Sequence, residues 1–133
     1  DADIKGILVQ EMITHSRGTI LGAKQDEFFG PLLLFGLGGI YVEILKDVIF
    51  RLAPISESEA RNMIESIKTI GLLKGARGEN PSDISSIVDC LLRLSQLVVD
   101  FPEIEEFDIN PLLVLEEGKG SRVVDVRIGI KNN

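Results

Sequence analysis

Asp108, Asn110 and Asp125 are the residues of this chain best suited to hold a cation. They fall on consecutive predicted strands near the end of the chain, and a tight connection would lay those strands side by side so that the side-chain oxygens converge. Mg²⁺ takes hard oxygen ligands, is usually held by one or two protein groups, and completes its shell with water and phosphate oxygens. An Asn with an Asp suits that task. Spacing alone favours reading Asp108 and Asn110 as the shaping of a turn before Pro111, because Asx side chains bond their own backbone in turns.

Three further places carry chemistry-bearing groups. Gln10, Glu11 and Met12 stand at the end of a predicted strand. Backbone N–H and C=O groups there, beside an apolar side chain, are what an adenine ring needs for edge hydrogen bonds and face contact. Glu43 is an isolated acid just after a glycine-rich turn, and by itself it reads first as a solvated surface carboxylate. His15, the single histidine, sits in the polar stretch Thr14-His15-Ser16-Arg17 and reads as an exposed loop residue.

The elements that must position these groups can be read from periodicity. Residues 6–13 are mostly apolar with a β-branched content that predicts a buried strand. Thr19 to Lys24 and Pro31 to Phe35 predict two more, punctuated by Gly18, Gly22 and Gly30-Pro31. Gly36-Leu37-Gly38-Gly39 follows, and glycines let a backbone turn sharply or approach another group closely. It lacks the Gly-Lys-Ser/Thr ending of a Walker A loop and does not match a dinucleotide fingerprint. Tyr41 to Leu45 fits a helical turn or a strand, and Asp47 to Leu52 a strand ending at Pro54 that would hold Arg51 rigidly.

Ser56 and Glu59 form a capping box, followed by Ala60, Met63, Ile64 and Ile67 at helical spacing, which predicts a helix from about 57 to 70. Ser82 or Asp83 caps a second helix running to about Asp100, with Ile84, Ile87, Val88, Leu91 and Leu92 on one face. The tail predicts strands over Ile104 to Asn110, Leu112 to Leu115 and Arg122 to Ile130, with Gly118-Lys119-Gly120 as a hairpin turn. The fold class is therefore α+β, an antiparallel sheet with helices packed on one face.

Composition narrows the function classes. The 133 residues suit one domain. With 14 basic and 21 acidic residues the net charge is −7, and no Lys/Arg run offers a nucleic acid or an anionic membrane a basic surface. A bound nucleotide would therefore need a metal ion or locally placed donors for its phosphates. The lone Cys90 lies in an apolar helical pattern and is expected to be a buried small hydrophobe, which fits a reducing cytoplasm. No apolar run is long enough to span a bilayer, and the start Asp1-Ala2-Asp3 lacks a signal peptide's basic end, so neither spanning nor export is expected.

A set of segments then occurs in a telling order: Val9-Gln10-Glu11-Met12, Phe29-Gly30-Pro31, Phe35-Gly36-Leu37-Gly38-Gly39-Ile40, Val42-Glu43, Asp47-Val48, Gly75-Ala76-Arg77-Gly78 and Asp108-Ile109-Asn110-Pro111. In these the chain resembles the ADP-forming acetyl-CoA (acyl-CoA) synthetases, whose nucleotide-binding part is similar to the ATP-grasp domain of succinyl-CoA synthetase. The resemblance covers nearly the whole chain and implies the C-terminal portion of an ATP-grasp domain over residues 1–133, with the N-terminal half absent.

That resemblance implies adenine contact at Gln10, Glu11 and Met12, Mg²⁺ at Asn110 and Asp125, and Glu43 near the phosphoryl-transfer centre, with ATP or ADP and Mg²⁺ as cofactors. Arg51 and Arg77 are weaker candidates. The implied reaction converts acyl-CoA, ADP and phosphate to acid, CoA and ATP through an acyl phosphate and a phosphohistidine. Implied partners are the remaining ATP-grasp half and the CoA-binding and phosphohistidine domains or α subunit, so this chain alone would be inactive. Gly18, Gln25 and Glu27 depart from the family's usual Glu, Arg and Pro, and losing the Arg is expected to weaken contact with the γ-phosphate. The departures leave open a module that binds nucleotide without turnover. A third reading is an interaction domain whose exposed, sheet-bearing surface self-associates.

Overall fold

Residues 3–131 are described in a computed structural model of the chain. Strands β1 (Arg17–Asp26) and β2 (Gly30–Leu37) form a hairpin. Its turn is held by Asp26, whose Oδ1 accepts from the N–H groups of Phe28 and Phe29. A short helix α1 (Ile40–Glu43) leads into β3 (Val48–Leu52), which pairs with β2. Helices α2 (Glu57–Glu65) and α3 (Ile70–Leu73), a 3-10 turn over Ala76–Gly78 and the long α4 (Ile84–Asp100) follow. The chain returns to the sheet as β4 (Ile104–Val114), β5 (Ser121–Val123) and β6 (Val126–Ile130).

The six strands make one antiparallel sheet in the order β3-β2-β1-β4-β5, with β6 also paired to β4. Alternation decides which side chains meet the helices. Leu21 and Ala23, Leu33 and Phe35, Phe107 and Ile109, and Leu112 and Val114 point to one face and pack with Ala60, Met63 and Ile64 of α2 and Ile87, Leu91 and Val98 of α4. The α+β class with helices on one face is what the structure has. The opposite face carries Leu32, Leu34, Phe50 and Leu52 in paired rows, with Phe50 47% and Leu52 48% exposed. No helix of the described residues is long and apolar enough to cross a membrane.

Several expectations change. The predicted strand over residues 6–13 does not form: the segment has no regular secondary structure, and Ile7, Leu8, Val9 and Met12 are exposed. Its β-branched content supplies propensity only, and no neighbouring strand among the described residues offers a ladder. The helix from 57 stops at Glu65 instead of continuing to 70. Ser66 hydrogen-bonds the Asn62 carbonyl, and the carboxylate of Asp47 takes the N–H groups of Lys68 and Thr69 that a continued helix would have used.

Tyr41 to Leu45 resolves as the helical turn α1, not a strand. The tail strands over 104–110 and 112–115 are one strand, whose register against β1 shifts between Thr19 and Leu21, opposite Asn110-Pro111. Pro111 has no N–H to donate there. Cys90 is half-buried, with its Sγ 3.7 Å from Ser121 Oγ, so it is not a fully enclosed hydrophobe.

Candidate functional site

The open face of the sheet gathers the polar candidates. Asn110 follows Ile109, which points to the core, so alternation turns Asn110 outward. Its N–H donates to the Asp125 carbonyl at 3.2 Å, and the next link is Val124 N–H to the Pro111 carbonyl at 3.2 Å. Asn110 and Asp125 are therefore direct neighbours, both exposed, at the junction of β4 with β6. Asp108 lies two residues earlier on the same face, paired with Gly22 on one side and Arg127 on the other.

These neighbours supply two hard oxygen donors with open solvent in front of them. That donor set fits a small divalent ion which keeps most of its water and is held by few protein groups. Among the described residues no cluster of three or more His, Cys, Asp or Glu side chains is placed to hold a metal, so a fully protein-built cage is not what this surface provides.

Glu43 lies beyond the end of β2, which β1 separates from β4. The N–H of Gly38 donates to the Gly18 carbonyl at 2.9 Å, which locks the end of β2 against β1, and Gly39 at φ 66 turns the chain into α1. A side chain at Gly39 would be strained in that left-handed conformation. Glu43 N–H bonds the Gly39 carbonyl at 3.2 Å, and its side chain is exposed. Gln10, Glu11 and Met12 are not brought to this face: all three are exposed on the irregular segment, with no hydrogen bond to the sheet among the described residues. His15 is in the exposed loop expected of it.

The remaining candidates separate cleanly. Arg51 Nη2 donates to Asn62 Oδ1 at 2.9 Å, tying β3 to α2, which is a structural use. Arg77 stands in the 3-10 turn. Gln25 lies on the helix side of β1. Its Nε2 donates to the Val98 carbonyl on the helix face, near the β1–β2 turn. At Gly18 an added Cβ would meet only ordinary contacts, 3.7 Å from Pro111 Cβ, so a Cβ is tolerated beside Asn110-Pro111. Glu27 is exposed in the β1–β2 turn.

Sequence reasoning missed Asp47 as a working residue. It is 4% exposed, and burial pushes its carboxyl up, but the Thr69 hydroxyl and the N–H groups of Lys68 and Thr69 outweigh that and hold it below the usual carboxylate range. A lone acid before a strand gives no local signal of partners in a later helix. A cleft of about 340 Å³ between residues 15–17, 78–82 and 114–116 is also present. Its charges already serve one another, with Arg17 paired to Glu79 and Glu116 bonded by Lys119 and Asn80.

Comparison with known proteins decides the family. The ATP-grasp domain model matches residues 1–130. The chain belongs to the ATP-grasp family. It is 57% identical over 129 residues to a 4-hydroxybutyrate–CoA ligase (ADP-forming) of Nitrosopumilus maritimus, covering 97% of this chain and 18% of that protein. It is 52% identical over 132 residues to the β subunit of acetate–CoA ligase (ADP-forming) II of Pyrococcus furiosus, covering 98% of this ATP-grasp chain and 56% of the subunit. A solved dinucleotide-forming acetyl-coenzyme A synthetase of Ca. Korarchaeum cryptofilum, in complex with coenzyme A and Mg-AMPPCP, superposes with a TM-score of 0.82 at 43% identity, covering 86% of this chain and 53% of that one. The ATP-grasp chain thus spans about half of such a β subunit and about a fifth of the single-chain ligase.

Proposed function

We propose that residues 1–133 are the C-terminal portion of the nucleotide-binding domain of an ADP-forming acid–CoA ligase, supplying one wall of its Mg-nucleotide site. The reaction interconverts acyl-CoA, ADP and phosphate with acid, CoA and ATP through an acyl phosphate and a phosphohistidine. The observation that carries the reading is the direct adjacency of Asn110 and Asp125 on an open sheet face. The ligase names of the similar proteins, and the Mg-AMPPCP held by the similar synthetase, support it.

In this reading Asn110 Oδ1 and the Asp125 carboxylate hold Mg²⁺, which when bound neutralises charge on the phosphate oxygens. Phosphoryl transfer asks a protein mainly to position groups and to balance charge. Asp108, beside Asn110, fixes the electrostatics of that face, and Glu43, beyond the end of β2, is the catalytic carboxylate. Gln10, Glu11 and Met12 contact adenine once their segment has the rest of the domain to lie against. The chain alone does not turn over, because the other half of the clamp and the CoA-binding and phosphohistidine parts belong to the remainder of the ligase.

The test is calorimetric titration of nucleotide into the assembled ligase with Mg²⁺ and with excess EDTA, for the wild type, Asn110→Ala and Asp125→Ala. Metal-dependent affinity is expected to fall by about 10–100-fold or more in either variant. Wild-type affinity in both sinks the assignment. Turnover that depends on both acid and CoA separates a working ligase from a module that binds nucleotide without chemistry.

A further inference from the structure

The α1–β3 turn is held from two sides by one residue. Asp47 Oδ1 accepts the Lys68 N–H at 2.9 Å, and its Oδ2 accepts the Thr69 N–H at 2.9 Å and the Thr69 hydroxyl at 2.5 Å. Its own N–H donates to the Tyr41 carbonyl within α1 at 3.3 Å. Lys46 beside it is bent into the left-handed region at φ 48, with its N–H on the Val42 carbonyl at 3.1 Å. Against the sheet, an added Cβ at Gly36 would lie 2.8 Å from the Asp47 carbonyl oxygen, so that strand end and this turn are in close contact.

A buried carboxylate with three donors is costly to place and strongly directional. The carboxylate satisfies the N–H groups left at the break between α2 and α3, and the same bonds tie the turn after α1 to that break. What the clamp does fix is the four-residue helix α1, too short to hold itself, and with it the backbone that carries Glu43.

We propose that Asp47 is a positioning residue for Glu43, an inference that rests on the ligase reading and extends it to the gap between α2 and α3. The Asp47 carboxylate anchors the turn after α1 to the Lys68–Thr69 backbone. Glu43 is thereby held at one distance from the Gly38-Gly39 turn, and release of the anchor lets α1 shift over the sheet end.

A double-mutant cycle in the assembled ligase tests this, with Asp47→Asn, Glu43→Gln and the pair, each assayed for kcat, for KM of nucleotide and of CoA, and for melting temperature. Misplacement by about 1 Å is enough to lower kcat by roughly a hundredfold, so Asp47→Asn is expected to lose about ten- to a hundredfold in kcat with KM for CoA unchanged. The double variant is expected to be no slower than Glu43→Gln alone, as residues acting as a unit are not additive. Multiplying effects, or an unchanged kcat in Asp47→Asn, overturn the positioning role and leave the ligase reading intact. An unchanged kcat in Glu43→Gln removes Glu43 from the mechanism and this inference with it, while the metal-pair titration stands separately. Thr69→Val removes only the hydroxyl bond and guards against a folding defect. A smaller loss in kcat well below its melting temperature is expected, and a lowered melting temperature with full kcat counts against the proposal.

Discussion

A carboxylate that burial raises and hydrogen bonds lower makes stability depend on pH in a definite direction. Asp47 has a folded value below its unfolded one. Its stabilisation is therefore fully present above the unfolded value and is lost as pH falls through the folded one. Asp47→Asn is expected to cost about 1–3 kcal/mol near neutrality. The gap from wild type should shrink between about pH 5 and pH 2, as read from urea midpoints across that range. A constant gap would mean that the bonds do not depend on the charge. At this scale the sequence spoke unevenly. Asn110 and Asp125 flank a hairpin that Gly118 and Gly120 announce, so their meeting was legible, whereas the partners of Asp47 lie 21 and 22 residues further on, a separation that leaves no local pattern.

Elements whose causes are local were legible, and those that depend on a neighbour were not. The capping box is local: Ser56 Oγ accepts from the Glu59 N–H, and Glu59 Oε2 accepts from the Ser56 N–H. Ser56→Ala should cost about 1 kcal/mol, checked by thermal melts in which α2 loosens from α4, and a loss within error would show that α2 is held by its buried face alone. Where that helix ends is a tertiary fact, because the Asp47 carboxylate competes for the N–H groups of the next turn. Residues 6–13 make the same point in reverse, since apolar and β-branched content marks a strand only where an edge is present to receive it.

For the whole molecule, the apolar rows of the open face are the outstanding surface. Leu32 pairs with Leu52 and Leu34 with Phe50, whereas the exposed Val126, Ile128 and Ile130 of β6 pair with the core-facing Ile109, Phe107 and Ile104 and so lie on the helix side of the sheet. Exposed apolar surface such as the β2–β3 rows drives association in water. The chain by itself is expected to sediment as a concentration-dependent mixture of monomer and larger species, and Phe50→Lys with Leu52→Lys should shift it toward monomer. A single monomeric boundary at every concentration would refute this. The layer arrangement behind that surface was legible from the alternation of strands and the two helical faces. An exposed sheet surface was expected, but which side chains face it was not legible, because apolar residues on either side of a strand look alike until the helices have chosen one.

The central pairing of the sheet joins distant parts of the chain. β1 lies between β2, its hairpin partner, and β4, and the buried bond from the Thr19 hydroxyl to the Leu112 carbonyl spans 93 residues. Loop-closure entropy must be met before such a contact returns any energy, and chains rich in distant contacts fold more slowly than those rich in near ones. During synthesis the β1–β2 hairpin can close early, but the inner edge of β1 waits, with its ladder groups unpaired, until the residues of β4 have emerged about 90 positions later. The interval in which a nascent chain of this family most needs shelter is thus written into its strand order.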